Sequence, residues 1–341
     1  MNDIERYQFD LNGYLLVKDL LSPTLVEAYL SAANDLESHI AANIDAEPQL
    51  TGFANVKYRF DVDYQCYSYK HTSGGGLQYI VDDFLNASAV FDSLVNHEQT
   101  MLYVEDLAAG PYRIGASELR YRYKSNVTHT HMGGHMDSRN RYEFVGRQMY
   151  DSAKSANSHR DFDLLSVRVL YALHDITVEN GPLCVVPGSH KANFFSPFSD
   201  LEPATEPGMI PLPMNAGDAI IFTENLRHGG FPNLLDSARK TIHLQISPIW
   251  AASQSPIHWN DRVHVSEKAW ARYSDEQRAL LPMPEGAMAT ELKSLRTEAA
   301  RLAEENARLR QKIAESQAPT VTQPAKPARS MLSSLRRAIG R

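Results

Sequence analysis

Residues 214–250 read MNAGDAIIFTENLRHGGFPNLLDSARKTIHLQISPIW. Two strands are legible in this stretch. Residues 218–222 form a short apolar run, and residues 241–247 alternate, with Ile242, Leu244 and Ile246 set against Thr241, His243 and Gln245. Successive strand side chains point to opposite faces. An inward-facing Arg239 therefore carries Thr241, His243 and Gln245 inside with it. A buried row of Arg, Thr, His and Gln is costly unless it meets an anion or a polar ligand. The segment predicts a strand lining a polar interior.

The same period extends outward. Val167, Val169, Tyr171 and Leu173 alternate with Arg168, Leu170 and Ala172, a strand apolar on both faces. Asn180-Gly181 reads as a hairpin turn and Pro187-Gly188 as a second turn. Short strands, frequent turns and no intervening helices predict an antiparallel barrel or double-sheet jelly roll (double-stranded β-helix). Flanking helices make the whole mainly β, of the α+β kind. Ser22-Pro23 ahead of Leu25, Val26, Tyr29 and Leu30 reads as an N-cap, a first-turn proline and an amphipathic helix. A second helix is expected near residues 90–105. The tyrosine-rich residues 58–69, running toward Gly74-Gly75-Gly76, read as a mobile surface loop.

Bulk properties narrow the function. The chain has 341 residues and a formal charge of −7, which argues against nucleic acid as a partner. Two cysteines are too few for a disulfide framework. The charged N-terminus lacks the apolar core of a signal peptide, and no run is long enough to span a membrane, so a cytoplasmic location is expected.

The chemistry-bearing residues centre on His135-Met136-Asp137. On an extended strand both side chains of such a pair can reach one metal ion. Two imidazoles and one carboxylate suit Fe(II) and leave coordination positions open. Among 13 histidines about one such H-x-D pattern is expected by chance, so context must add specificity. That context is His228, followed by Gly229-Gly230, with Arg239 eleven residues further on. His129, His131, His190 and His243 cluster nearby and read as packed or supporting groups. Tyr121, Tyr123 and Lys124, on the strand before the triad, are candidate interior residues, while Arg139 and Arg147 read as solvated charge.

Taken together, these stretches resemble the phytanoyl-CoA dioxygenase family of Fe(II)/2-oxoglutarate oxygenases. The match runs through FDLNGYLLVKDLLSP (9–23), RIGASELRYRYK (113–124), HMD (135–137), LHDITVENGPLCVVPGSHK (173–191), MNAGDAIIFTENLRHGGFPN (214–233) and ARKTIHLQISPIW (238–250). The resemblance implies a metal site of His135, Asp137 and His228, and a cosubstrate site at Arg239; from their positions Thr241, Lys124 and Tyr123 are candidate further contacts to the cosubstrate. It implies Fe(II), 2-oxoglutarate and O2 as cofactors, and hydroxylation of a small-molecule substrate. Asp137 fills the carboxylate position that related halogenases replace with a small residue. Residues 139–162 are longer and more charged than the family norm. The alternative is a catalytically silent jelly roll acting as a binding or scaffold module.

The C-terminal end divides further. The jelly-roll domain is expected over residues 1–255, an extension over 256–290, a short coiled coil over 291–315, and a Pro-rich linker with a basic amphipathic tail over 316–341. Leu295, Leu302 and Leu309 occupy d positions, and Leu292, Ala299, Asn306 and Ile313 occupy a positions. Leucine at d with one asparagine at a specifies a parallel two-stranded coil, hence a homodimer. The tail holds five bases and no acid, which suits an anionic membrane surface or a partner.

Overall fold

The computed structural model describes residues 1–51, 56–72, 76–108, 110–125, 162, 164–192, 196–198, 201, 205–250 and 263–317. The chain divides into two units, Met1–Gly286 and Ala287–Arg341.

In the first unit, α1 (Asp3–Asn12) starts on a capping box, in which Asn2 and Glu5 satisfy each other's backbone, and stops at Gly13. β1 (Tyr14–Val17) follows. Ser22 then caps α2 (Pro23–Asn43), with proline in its first turn as the sequence predicts. Val26, Tyr29, Ala33, Leu36 and Ile40 bury one face of α2 at a spacing of three and four residues.

Residues 58–69 correct the loop expectation. They contribute to β3 (Lys57–Asp61) and β4 (Cys66–His71), which with β2 (Leu50–Thr51) and β5 (Gln78–Asp82) extend a sheet. Tyrosine favours a pleated, half-buried surface, and rings such as Tyr58 and Tyr67 pack edge to face across the strands. The helix expected over 90–105 is broken. A 3-10 segment (Ala89–Leu94) precedes α3 (Glu98–Leu107).

The remaining strands are β6 (Tyr112–Arg122), β7 (Val167–Ala172), β8 (Leu183–Val185), β9 (Ile210–Leu212), β10 (Ala219–Thr223), β11 (His228–Gly230) and β12 (Arg239–Pro248). They form two antiparallel sheets among the described residues. One has nine strands in the order β1-β10-β7-β12-β6-β5-β4-β3-β2, and the other is β11-β8-β9. This mainly β, two-sheet arrangement with flanking helices agrees with the jelly-roll expectation. Asn180-Gly181 is no hairpin: β7 pairs with β10 and β12, whereas β8 pairs with β11 and β9, so this turn carries the chain from one sheet to the other.

The large sheet is covered on both faces. Its outer face, with Val169, Ile221, Ile242 and Leu244, packs with Phe9, Tyr29, Leu36 and Val104 of the helices. Its inner face sets Leu170, Ile220 and Phe222 against Leu183, Val185 and Leu212 of the small sheet. The same inner face carries the polar row foreseen on β12. After β12 come α4 (Glu267–Arg272) and α5 (Asp275–Ala279); Ala269, Tyr273 and Leu281 join the outer core.

The long helix α6 (Glu285–Gln317) enters the second unit, where Leu292, Leu295, Leu302, Leu309 and Ile313 are all exposed. Arg301 there pairs with Glu298 and Glu305 on its own helix. The basic tail from residue 318 onward lies outside the described residues. No described helix is long and apolar enough to cross a membrane.

Candidate active site

Strand pairing decides which side chains share the interior. Arg239 stands opposite Arg122, Thr241 opposite Arg120, and His243 opposite Glu118. Residues directly opposite share a face. The inner face of β6 is therefore Glu118, Arg120 and Arg122, and all three are extensively buried or half-buried. β5 adds Gln78 opposite Arg122, and β7 adds Arg168 opposite Gln245.

Of these, Gln78, Arg120, Arg122, Arg168, Arg239 and His243 line a cavity. His228, Gly229 and Gly230 close its small-sheet side.

His228 is held firmly. Its Nδ1 donates to the Leu226 carbonyl at 2.7 Å, which puts the lone pair on Nε2, the tautomer a metal ligand requires. The preceding residue is pinned as well. Arg227 donates to both Glu206 carboxylate oxygens, at 2.6 and 3.0 Å, and its backbone N–H donates to Ser189 Oγ at 2.8 Å. Phe222 packs edge to face against the imidazole, with ring centroids 5.0 Å apart. His135 and Asp137 lie outside the described residues, as do His129, His131, Arg139 and Arg147. Among the described residues no three His, Cys, Asp or Glu side chains cluster to hold a metal.

Arg239 is 6% exposed. One of its guanidinium nitrogens donates to the Gly181 carbonyl, and its buried Nε has no partner among the described groups. Burial depresses its pKa far below the usual value, and the neighbouring cations Arg122 and Arg120 depress it further. Among the described residues no carboxylate pairs with it. A buried guanidinium with donors to spare and no described counter-charge suits a carboxylate-bearing cosubstrate.

Two other cations in the cavity are paired. Arg168 bridges Glu224 and Glu118, and Arg120 also pairs with Glu118. Burial alone would raise the Glu118 carboxyl, but Arg120 and Arg168 outweigh it and hold the group ionised. Burial keeps His243 neutral, with Arg120 and Arg168 acting in the same sense.

The other expected cosubstrate contacts fall differently. Thr241 is buried on the inner face, where its Oγ1 meets His243 Nε2 at 3.0 Å. Tyr123 turns to the helical side: its hydroxyl donates to Glu37 at 2.8 Å and its ring packs on Tyr79. Tyr121 likewise donates to the Ala33 carbonyl at 2.7 Å. Lys124 is half-exposed and pairs with Asp236 at 2.8 Å. For the two tyrosines the reason is period two, whereas Lys124 lies beyond the end of β6. Once Arg122 faces in, Tyr121 and Tyr123 must face out. His190 donates from Nε2 to the Asp10 carbonyl at 3.2 Å, a packed group as expected.

Two sheets closing on a polar cavity, with a buried histidine on the small sheet and, on the large one, a buried arginine that pairs with no described carboxylate, define a jelly roll of the oxygenase type. The phytanoyl-CoA dioxygenase family model matches residues 9–241, and the chain belongs to that family. This bears out the resemblance, and a dioxygenase family agrees with the expected set of Fe(II), 2-oxoglutarate and O2. Dioxygenase trt7 of Aspergillus terreus is 30% identical over 115 residues, covering 30% of this chain; the chain spans 38% of that relative's length. The fold is also similar to that of HygX from Streptomyces hygroscopicus, solved with nickel and 2-oxoglutarate bound. That similarity has a TM-score of 0.52 at 21% identity, covering 79% of this chain and 98% of HygX. HygX solved with nickel, 2-oxoglutarate and hygromycin B gives 0.51 at 20% identity over the same shares.

Proposed function

We propose that this chain is an Fe(II)- and 2-oxoglutarate-dependent dioxygenase that hydroxylates a C–H bond of a small-molecule substrate and releases succinate and CO2. The observation that carries this reading is Arg239, buried, paired with no described carboxylate and in the same cavity as His228. His228 would hold iron through Nε2, together with His135 and Asp137, and Arg239 would hold the distal carboxylate of 2-oxoglutarate. Iron supplies O2 activation, with 2-oxoglutarate as the co-reductant. The chain's own residues orient and insulate. Leu226 fixes the His228 tautomer, and the Glu206–Arg227 pair locks the turn that presents it. Leu170, Leu183 and Phe222 supply the apolar wall that keeps water from the reacting centre.

The test is iron-dependent conversion of 2-oxoglutarate to succinate across a panel of acyl-CoA, sugar and amine substrates. Substrate-dependent succinate formation supports the reading. Ligand binding without any 2-oxoglutarate turnover would favour a silent jelly-roll module instead. The same proposal includes assembly: residues 291–315 pair two copies in parallel register through the exposed stripe of α6, and the basic tail contacts a membrane surface or partner.

A further inference from the structure

A second buried cation faces the cavity, and nothing in the family match assigns it a role. Arg122, at the end of β6, is 2% exposed and stands directly opposite Arg239. The sole hydrogen bond of its guanidinium to a described residue is a long one, 3.5 Å, to the Gly230 carbonyl. Among the described residues no carboxylate pairs with it. Burial lowers its pKa to about 10, and Arg122 in turn depresses Arg239.

Gly230 shows that the two guanidiniums converge. A Cβ added there would fall on Arg122 Nη1, and Arg239 Nη1 would lie 3.8 Å from it. Two like charges sharing one buried spot are unfavourable unless an anion joins them. Two planar forks can together satisfy all four lone-pair directions of one carboxylate. Gln78, opposite Arg122 on the far side, adds a polar side chain to the same wall.

We propose that Arg122 is a second carboxylate-binding residue. It forms with Arg239 a two-guanidinium clamp, floored by Gly230, for the distal carboxylate of the cosubstrate. This rests on the reading of the cavity as a 2-oxoglutarate site, and it adds a contact beyond the single arginine the family resemblance supplies.

The clamp makes two demands that a merely structural arginine would not. Binding of 2-oxoglutarate to the nickel-loaded, non-reacting protein, read by titration calorimetry, should weaken at least about tenfold in Arg122→Gln. Binding of 2-oxobutanoate, which lacks the distal carboxylate, should be unchanged by that substitution. Arg122→Lys, which keeps charge without the fork, should fall between. In addition, thermal unfolding of ligand-free Arg122→Gln should occur at or above the wild-type temperature, because a like-charge repulsion has been removed. Equal weakening toward both ligands, or unchanged 2-oxoglutarate binding in Arg122→Gln and Arg122→Lys, would overturn the clamp. If Arg239→Gln alone weakens binding, the cosubstrate reading survives and the second cation falls. If wild-type protein does not bind 2-oxoglutarate, both fall.

Discussion

One methyl group at position 230 would reach the centre of this site. Gly230 is followed at close range by both guanidiniums, so Gly230→Ala must push Arg122 Nη1 aside. The expected result is a raised 2-oxoglutarate requirement with an intact fold; an unchanged requirement would mean the arginines do not act at that spot. Arg239→Leu should be more severe. Breaking a buried charge pair costs about 3–5 kcal/mol, so 2-oxoglutarate affinity should drop over about a hundredfold in calorimetric titration. Sequence alone reached Arg239 because the 241–247 alternation is clean, but it missed Arg122. In the run Arg120-Tyr121-Arg122-Tyr123-Lys124 either set could face inward, since tyrosine suits a barrel lumen as well as a helix-covered face. Pairing with Arg239 settles the choice, and pairing is a long-range fact. Glu206 was invisible for the same reason: it meets Arg227 across 21 residues of loop and strand.

At the scale of elements, helix α1 is docked by the turn at His190. The imidazole donates to the Asp10 carbonyl, and Gly13, in the left-handed region at φ 82°, leaves room for the ring. A Cβ at Gly13 would strike that ring, so Gly13→Ala should detach α1 and lower the unfolding temperature. Burial, aided by Lys191, holds the His190 pKa down to about 4. An unfolded histidine titrates near ~6.5, so the unfolded chain takes up the proton first. Stability from neutral His190 is complete above that pH and is lost as pH falls toward about 4. His190→Gln should flatten the decline in unfolding temperature across this window; an identical slope would place the pH sensitivity elsewhere. Helix α6 carries its own prediction. Its a and d seam lies in solvent, so full-length protein should self-associate and truncation after Met288 should weaken that association. Asn306→Leu should strengthen it while blurring stoichiometry. A monomer at ~100 μM by light scattering, far above a micromolar dissociation constant, would rule out the zipper.

Over the whole molecule, what could be read early was whatever depends on local period. The 218–222 run, the two-faced strand at β7 and the capped start of α2 all follow from neighbours a few residues apart. What could not be read was assignment to sheets. Strands β3 to β5 add to the large sheet by pairing onto β6, and their tyrosines gave an ambiguous local signal. Asn180-Gly181 has the composition of a hairpin yet serves as a crossing between sheets, because the flanking strands find better partners elsewhere. The site depends on that crossing: it brings the Gly181 carbonyl to Arg239 and sets His228 across the cavity from β12. The central claim is that this cavity consumes 2-oxoglutarate on iron. The most direct measurement is CO2 release from 2-oxoglutarate labelled at its first carbon, with Fe(II) present, chelated, or supplied to His228→Ala and Asp137→Ala proteins. O2-dependent release is expected with iron, and chelation or either substitution should abolish it. Release that persists undiminished in both variants, or with the iron chelated, would contradict it.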